Sequence, residues 1–503
     1  MLTARRFALL ALALCCVRAS ELPAQQRAAT QAAACDVPDD PGTVARLTRD
    51  VAFLADDARL GREPGTPGFD AAAEHVTRAL RELGVAPAGT DGYLQPFEAD
   101  YGAEALPGTG LSFVRDGRAV EAGGVEVVSQ APWTGDGRAQ GAVVFAGHGL
   151  VSQDARWDDL ARGESVRDRV LVVLSGPPRP TDPARVEALR RANVIGSDAG
   201  KVRAAHERGA RAVVIVALDG GRHASGWIDP QQGALPVIRV SREAGAALLG
   251  VPPDALTPAT EPATVRAVPG VLATVNVATR PRRVRTANVL GLVRGTGAQP
   301  GTLLVGAHLD HIGHGVRTSR TGSVAIHNGA DDNASGSAAV LELARRIAQR
   351  PAARDVVFAW FGAEELGLVG STHLATHPVP ATATLAAMVN FDMVGRLRDC
   401  RVVVEGRETA RGFAEVVRRA NAPYRFDARP WDPRLGAWGS SDHESFSSRG
   451  TPVLFFFTGL HADYHTERDD LPTLDLRGTS ALVGFAERAI RDVASLPPRG
   501  LAR

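Results

Sequence analysis

VGAHLDHIGHGVRTSRTGSVAIHNGADDNASG, residues 305 to 336, opens at the end of an apolar run and closes at the start of a helical pattern. Leu303-Leu304-Val305 reads as a buried strand that ends at the small-residue turn Gly306-Ala307. His308 and Asp310 follow two residues apart, on one face if the extended geometry persists. After a polar, glycine-containing loop, Asp331-Asp332-Asn333 stands just before apolar spacing that predicts a helix from Ser337. Imidazole and carboxylates converging at a strand end are hard to justify as packing and easy to justify as ligands for a divalent cation.

Downstream of this stretch the pattern alternates. Apolar runs at 303–305, 356–361, 387–391, 401–404 and 453–457 predict strands, and 337–349, 409–421 and 477–495 predict helices. Such alternation predicts an α/β fold with a mostly parallel central sheet flanked by helices. In open sheets of this kind, sites form beyond the carboxyl ends of strands. The chemically interesting residues fall there: His308 and Asp310, then Glu364-Glu365 after VVFAWFGA, Asp392 after AAMVNF, and Tyr464-His465 soon after VLFFFTG.

Each of these has an ordinary reading. Polar residues at a strand end mostly make hydrogen bonds, and Asp331 and Asp332 suit the start of a helix as caps. Glu364-Glu365 is harder to dismiss, because adjacent acids after an apolar run repel unless a cation lies beside them. Asp392 is a lone acid in an apolar stretch and needs a partner. Taken together, one histidine, three acids and a second histidine fit a two-metal site with nitrogen and oxygen ligands. Without thiolates zinc is the first candidate, with manganese or cobalt able to replace it. Two metals roughly 3.5–4 Å apart need a bridging carboxylate. A spare carboxylate beside the ligands is the expected general base.

With 503 residues the chain exceeds one ordinary domain. A hydrophobic content of 44% supports a sizeable core, and a net charge of +1 predicts no nucleic-acid or membrane-surface partner. Upstream, 42–58 and 68–85 carry helical spacing, with Gly61, Pro64, Gly65 and Pro67 between them. Residues 120–265 change texture to short apolar runs at 142–146, 170–174, 212–216 and 236–240, glycine-rich turns and a helix at 201–208. This module holds no concentrated set of metal-type side chains; His148, His206 and His223 are scattered. Residues 286–295 return to a buried-strand pattern, so the module reads as an insertion that leaves 25–119 and 266–503 to the main domain.

The first 24 residues, with Arg5-Arg6 before an apolar run from Phe7 to Val17, read as a signal peptide too short to span a bilayer stably. An exported protein, periplasmic or extracellular, is expected, without stable membrane insertion once the signal is removed. Cys15 and Cys16 lack the small preceding residue of a lipid-attachment site. Cys35 and Cys400 would remain, and their separation alone does not establish a disulfide.

HLDHIG, NGADDNASGSAAVLELA, FAWFGAEELGLVGS, NFDMVGR, SSDHESF and DYHTERDD together resemble the exported bacterial di-zinc aminopeptidases, a family related to glutamate carboxypeptidase and the transferrin receptor. LGREPGTPGFDAAAEHVTRALRELGV is similar to the N-terminal portion of that catalytic domain. SDAGKVRAAHERGARAVVIV and LPVIRVSREAGAALL resemble an inserted protease-associated domain. The resemblance spans nearly the whole mature chain and implies a zinc exopeptidase fold with two Zn2+ per chain. Position by position, it implies that His308, Asp332 and Asp392 hold one zinc, and that Asp332, as the bridge, with Glu365 and His465 holds the other. It implies Glu364 as general base, Tyr464 as oxyanion stabiliser and Asp310 as the carboxylate that orients His308. Asp331 matches a position that is not a ligand, and His311, His314 and His327 are not expected to touch metal. Ser440 to Phe446 is an expected pocket wall. The implied activity is removal of N-terminal residues from peptides with a free N-terminus, through a metal-bridging water activated by Glu364. The alternatives are a carboxypeptidase or dipeptidase on the same fold, for which the sequence places no carboxylate-binding cation, and a catalytically inactive binding protein, in which ligands would be missing.

Overall fold

The computed structural model describes residues 37–502 except 39, 123–125, 128–134, 192–197, 219–234, 316–317, 321–324 and 431–440. The expected signal peptide, Cys35, His223 and Ser440 lie outside the described residues.

Four apolar strands, Thr302–His308, Asp355–Phe361, Leu385–Phe391 and Val453–Phe457, form the parallel centre of a nine-stranded sheet. Their apolar character is continuous because both faces are covered. Leu303, Val305, Ala307, Val356, Phe358 and Trp360 enter one core, while Leu304, Val357, Ala359 and Phe361 enter the other, as the two-residue period requires. Helices Pro41–Leu54, Pro67–Glu82, Gly336–Gln349 and Leu476–Ser495 fill the first face. Leu374 of Val369–Thr376 and Phe446 of Glu444–Ser447 close the second. The N-terminal helix begins where Asp40 Oδ1 accepts the Thr43 N–H at 3.0 Å, with Pro41 in the first turn, where its missing donor costs nothing. Its buried Thr43, Leu47, Val51 and Leu54 keep helical spacing.

The predicted strands and helices lie where the sequence puts them. The sheet is parallel at its centre and again where Arg401–Glu405 pairs with Asp427–Arg429, while Thr279–Val293 runs antiparallel to Asp355–Phe361, and Arg401–Glu405 antiparallel to Val453–Phe457. Thr279–Val293 also pairs with Leu94–Ala105 as a long antiparallel ribbon, from Val289↔Leu94 to Thr279↔Ala105. The arginine-rich stretch Arg280–Arg285 therefore lies within a strand. The apolar alternation fails here because the ribbon is solvent-exposed, and Arg283 pairs instead with Asp100 at 3.0 Å and Glu98 at 3.8 Å.

Beyond the ribbon lies a second, eight-stranded sheet between Gly110 and Val277, with Gly137–Phe145, Val170–Leu174, Ala212–Val216 and Val237–Val240 as its parallel part. Its strands extend past the 120–265 span at both ends. Gly110–Arg115 and Arg266–Val277 carry mixed polarity, and the pairing of the latter is interrupted between Ala267 and Leu272. Lys201, the one lysine of the chain, is buried there, with Nζ donating to Leu174 O at 2.7 Å and Gly176 O at 2.8 Å. Cys400 is disulfide-bonded, and the other three cysteines of the chain, Cys15, Cys16 and Cys35, all lie outside the described residues. Among the described residues no helix is long and apolar enough to cross a membrane.

Candidate active site

The carboxyl ends of the four parallel strands bring together His308, Asp332, Glu364, Glu365, Asp392 and His465. His308 is the last residue of its strand, and Ser337 Oγ donates to its carbonyl at 2.7 Å. Its Nε2 stands 3.2 Å from Asp332 Oδ1 and 3.3 Å from Asp392 Oδ1. On the other side, His465 Nε2 stands 3.1 Å from Asp332 Oδ2 and 3.2 Å from Glu365 Oε2. Asp332 thus faces one imidazole with each oxygen. Glu364 gathers with His308 and Asp392, ligand-type atoms lying within 4.8 Å of one another. The Tyr464 ring stacks on the His465 ring at 3.9 Å between centroids.

Asp310 acts differently from the expectation. The strand ends at His308, so extended geometry does not carry on to Asp310. His308 Nδ1 faces the Asp310 main-chain carbonyl at 3.1 Å, with the carboxylate farther off at 3.9 Å. The Asp310 carboxylate instead accepts the N–H groups of Glu364 at 3.0 Å and Glu365 at 3.2 Å, fixing the turn that carries both glutamates. Asp331 does not cap the following helix either. Its Oδ1 accepts the Gly395 N–H at 2.7 Å, and its Oδ2 faces His461 Nε2 at 3.2 Å.

Several supporting groups had no clear signal in the sequence. Asp469 Oδ2 accepts the N–H groups of both Asp331 and Asp332 at 3.0 Å, and Arg396 holds Asp469 at 2.9 Å and Asp463 at 2.7 Å. Arg62 is wholly buried with carbonyl partners, donating to Leu309 O at 2.8 Å, Leu54 O at 2.7 Å, Asn328 O at 2.6 Å and Gly329 O at 3.0 Å. It fastens the loops on both sides of the site. Burial brings its guanidinium down to about 10, against the pull of Asp332, Asp310, Asp469 and Glu365. His311, set aside on sequence grounds, lies inside the cluster with Nδ1 2.8 Å from Glu365 Oε1. His314 is exposed and His327 pairs with Ser319 Oγ at 2.9 Å, so neither joins it. Of the expected wall, Ser441 Oγ accepts from Asn390 at 2.9 Å, and Asp442 is fully buried, which raises it to about 7.

Electrostatically the cluster is a surplus of buried negative charge. Burial opposes a charged His308 or His465, yet Asp392 and Glu364 lift the first, and Glu365 and Asp332 the second, well above the ordinary imidazole value. Burial would raise Glu365 and Asp332 too, but the facing histidines hold Glu365 at about 2 and Asp332 well below its usual range. Glu364 behaves oppositely. Burial raises it, and the neighbouring Glu365, Asp442 and Asp392 outweigh His308 in keeping it well above the carboxylate range. Burial likewise raises Asp310 to about 7. Burial and the nearby carboxylates push the Tyr464 phenol up, so it keeps its proton as a donor. His465 Nε2 is buried and makes no hydrogen bond among the described residues, although two carboxylate oxygens stand just over 3 Å away. A nitrogen aimed between anions without bonding either suits a cation among them, and the donor set, imidazole and carboxylate, suits zinc.

Residues 288–486 match the model of Peptidase family M28. The chain is 40% identical over 115 residues to an aminopeptidase of Pseudomonas aeruginosa, an alignment covering 23% of this chain and 19% of that protein. It is 26% identical over 423 residues to a probable lipoprotein aminopeptidase, LpqL, of Mycobacterium tuberculosis, covering 82% of this chain and 72% of that one. A solved zinc aminopeptidase from Bacillus subtilis superimposes with a TM-score of 0.57 at 19% identity, covering 90% of this chain and 95% of that one, a likeness of fold. The motifs HLDHIG to DYHTERDD stand in order within residues 288–486, the part of the chain that is similar to Peptidase family M28, and the sheet is built as in the Bacillus structure.

Proposed function

We propose that the chain is an exported zinc aminopeptidase that removes N-terminal residues from peptides, using two metal ions held by its own side chains. The observation that carries this reading is Asp332, whose Oδ1 lies 3.2 Å from His308 Nε2 and whose Oδ2 lies 3.1 Å from His465 Nε2. One carboxylate shared by two nitrogen and oxygen donor sets is what a metal pair needs. His308, Asp332 and Asp392 would hold one ion; Asp332, Glu365 and His465 the other. The names of the Pseudomonas, Mycobacterium and Bacillus relatives support the aminopeptidase assignment.

When bound, the metal pair supplies Lewis acidity at the scissile carbonyl and lowers the pKa of a water from about 15.7 to about 7. Glu364, gathered with His308 and Asp392 beside the ligands, takes the proton from the attacking water as its carboxylate and returns it to the leaving amine. Tyr464 donates its phenolic hydrogen to the oxyanion. Asp310 keeps both glutamates aimed by holding their N–H groups. The acidic surplus suits the free α-ammonium of the substrate. Residues 120–265, which fall within the second sheet, are proposed as a protease-associated insertion. The disulfide at Cys400 supports an oxidising compartment.

Glu364→Gln tests the assignment. Release of aminoacyl p-nitroanilides should fall about 10²–10⁴-fold while metal content stays near that of the wild type. Unchanged turnover would remove Glu364 from its role. A dipeptidase reading is favoured by one observation: the exposed guanidinium of Arg320 stands 5.9 Å from the Tyr464 ring, a cation at the rim. Cleavage of dipeptides with a free carboxylate but not of aminoacyl anilides would select it.

A further inference from the structure

His311 takes no part in the chemistry above, yet its ring is wholly buried within the cluster. Nδ1 lies 2.8 Å from Glu365 Oε1, while the other oxygen, Oε2, is the one 3.2 Å from His465 Nε2. The two oxygens of Glu365 therefore have separate partners. His311 Nε2 is buried without a hydrogen-bond partner among the described residues, so the ring proton belongs on Nδ1, where Oε1 accepts it. Asp332 Oδ2 stands farther from Nδ1, at 3.8 Å.

The ring is held by main chain rather than by side chains of the site. The His311 N–H donates to Arg62 O at 3.3 Å, and the Arg62 guanidinium binds Leu309 O before it and Asn328 O and Gly329 O across from it. Gly329, at φ +57°, packs so closely that a Cβ at that position would collide with the His311 ring. The imidazole is thus confined before any cation enters.

We propose that His311 is a positioning residue for the metal site formed by Asp332, Glu365 and His465. By donating to Glu365 Oε1 it leaves Oε2 as the single oxygen offered beside His465 and Asp332, and prevents the carboxylate from rotating to present both. This rests on the zinc reading above and goes beyond it by giving the two metal sites different supports: one carries an imidazole clamp on its carboxylate, whereas in the other Asp392 is hydrogen-bonded by Ser441 and stands 3.3 Å from a candidate ligand, His308. Groups that hold a ligand from behind typically change metal affinity by about 10–100-fold when removed.

The test uses the full chain stripped of metal and titrated with Zn2+ by calorimetry against a competing chelator, as wild type, His311→Ala and His311→Asn. Cobalt(II) absorption is read on the same three proteins. Two binding events are expected for the wild type. His311→Ala should weaken one of them by about 10–100-fold and leave the other unchanged. Asn, whose amide nitrogen falls near the place of imidazole Nδ1, should restore most of that loss and keep the wild-type cobalt spectrum. A general loss of structure would weaken both events and would not be rescued by Asn. Unchanged affinities in His311→Ala would overturn the proposal. So would an Asn variant as weak as Ala with an altered cobalt spectrum, which would make His311 a direct ligand. Failure of the wild type to bind zinc at all would instead refute the metal reading beneath it.

Discussion

Asp332 faces His308 with one oxygen and His465 with the other, so neutralising this one side chain acts on both halves of the cluster. Asp332→Asn should cost both metals, leaving well under one per chain by elemental analysis, whereas His465→Ala should cost one. Equal losses in the two variants would mean that the carboxylate is not shared. Tyr464→Phe removes a donor that burial keeps protonated, and kcat should fall about 10²-fold or more with KM little changed. His308, Glu364, Glu365 and Asp392 stand out in the sequence because each lies just past an apolar run. His311 does not, since strand parity says nothing once the strand has ended at His308. Arg62 was invisible for another reason. Its partners are main-chain carbonyls, and no pattern of side chains announces them.

The elements that carry the site were read well where both faces are buried and poorly where one is wet. Val453–Phe457 and Val170–Leu174 are all-apolar, and their observed limits equal the predicted ones. The Arg280–Arg285 stretch gives no strand signal in the sequence because its cross-strand neighbours are charges on an exposed ribbon. Trp360 shows what the central strands hold: it is fully buried, with Nε1 donating to Ser337 O at 3.0 Å, directly under the helix that follows Asp332. Trp360→Ala should cost about 3–5 kcal/mol in chemical denaturation. The N-terminal helix is tied to Gly336–Gln349 by a charged knot in which the buried Glu342 accepts from Arg46, Arg345 and Arg346 at 2.7–3.0 Å. Burial alone would raise Glu342, but these arginines hold it at about 2, below its ordinary 4.5. A lowered carboxylate pKa stabilises the fold fully above the ordinary value, and the contribution is lost as pH falls towards the folded value. Glu342→Gln should therefore flatten the loss of stability between pH 4.5 and about 2. An unchanged slope in urea midpoints across that window would show that the knot is energetically idle.

At the scale of the whole chain, the single disulfide-bonded cysteine among the described residues is Cys400, at a turn just before the strand Arg401–Glu405. Cys400→Ser, or reduction of the wild type, should lower stability by about 2–4 kcal/mol. Denaturation with and without reductant measures it, and an effect of reductant that persists in the variant would be inconsistent with this bond being responsible. The change in texture at 120–265 falls within the second sheet, whose strands nearest the ribbon, Gly110–Arg115 and Arg266–Val277, carry mixed polarity and so give the sequence less signal.

The ribbon also sets an order of assembly. Leu94–Ala105 pairs with Thr279–Val293, and the N-terminal helices share their core with residues from 289 onward. During synthesis the first fifth of the chain, up to Ala105, therefore waits, its apolar faces uncovered, until the other margin of the ribbon has emerged. The intervening segment is complete before that moment, and its ends at Ala105 and Thr279 are direct partners. Folding it first brings the two margins together in advance and removes a loop-closure penalty on the order of 4–5 kcal/mol for a flexible loop of that length. The second sheet is thus expected to act as an internal scaffold for its host. Replacing it with an unstructured linker of equal length should slow refolding of the host, whereas a tight turn joining the ribbon should spare the rate.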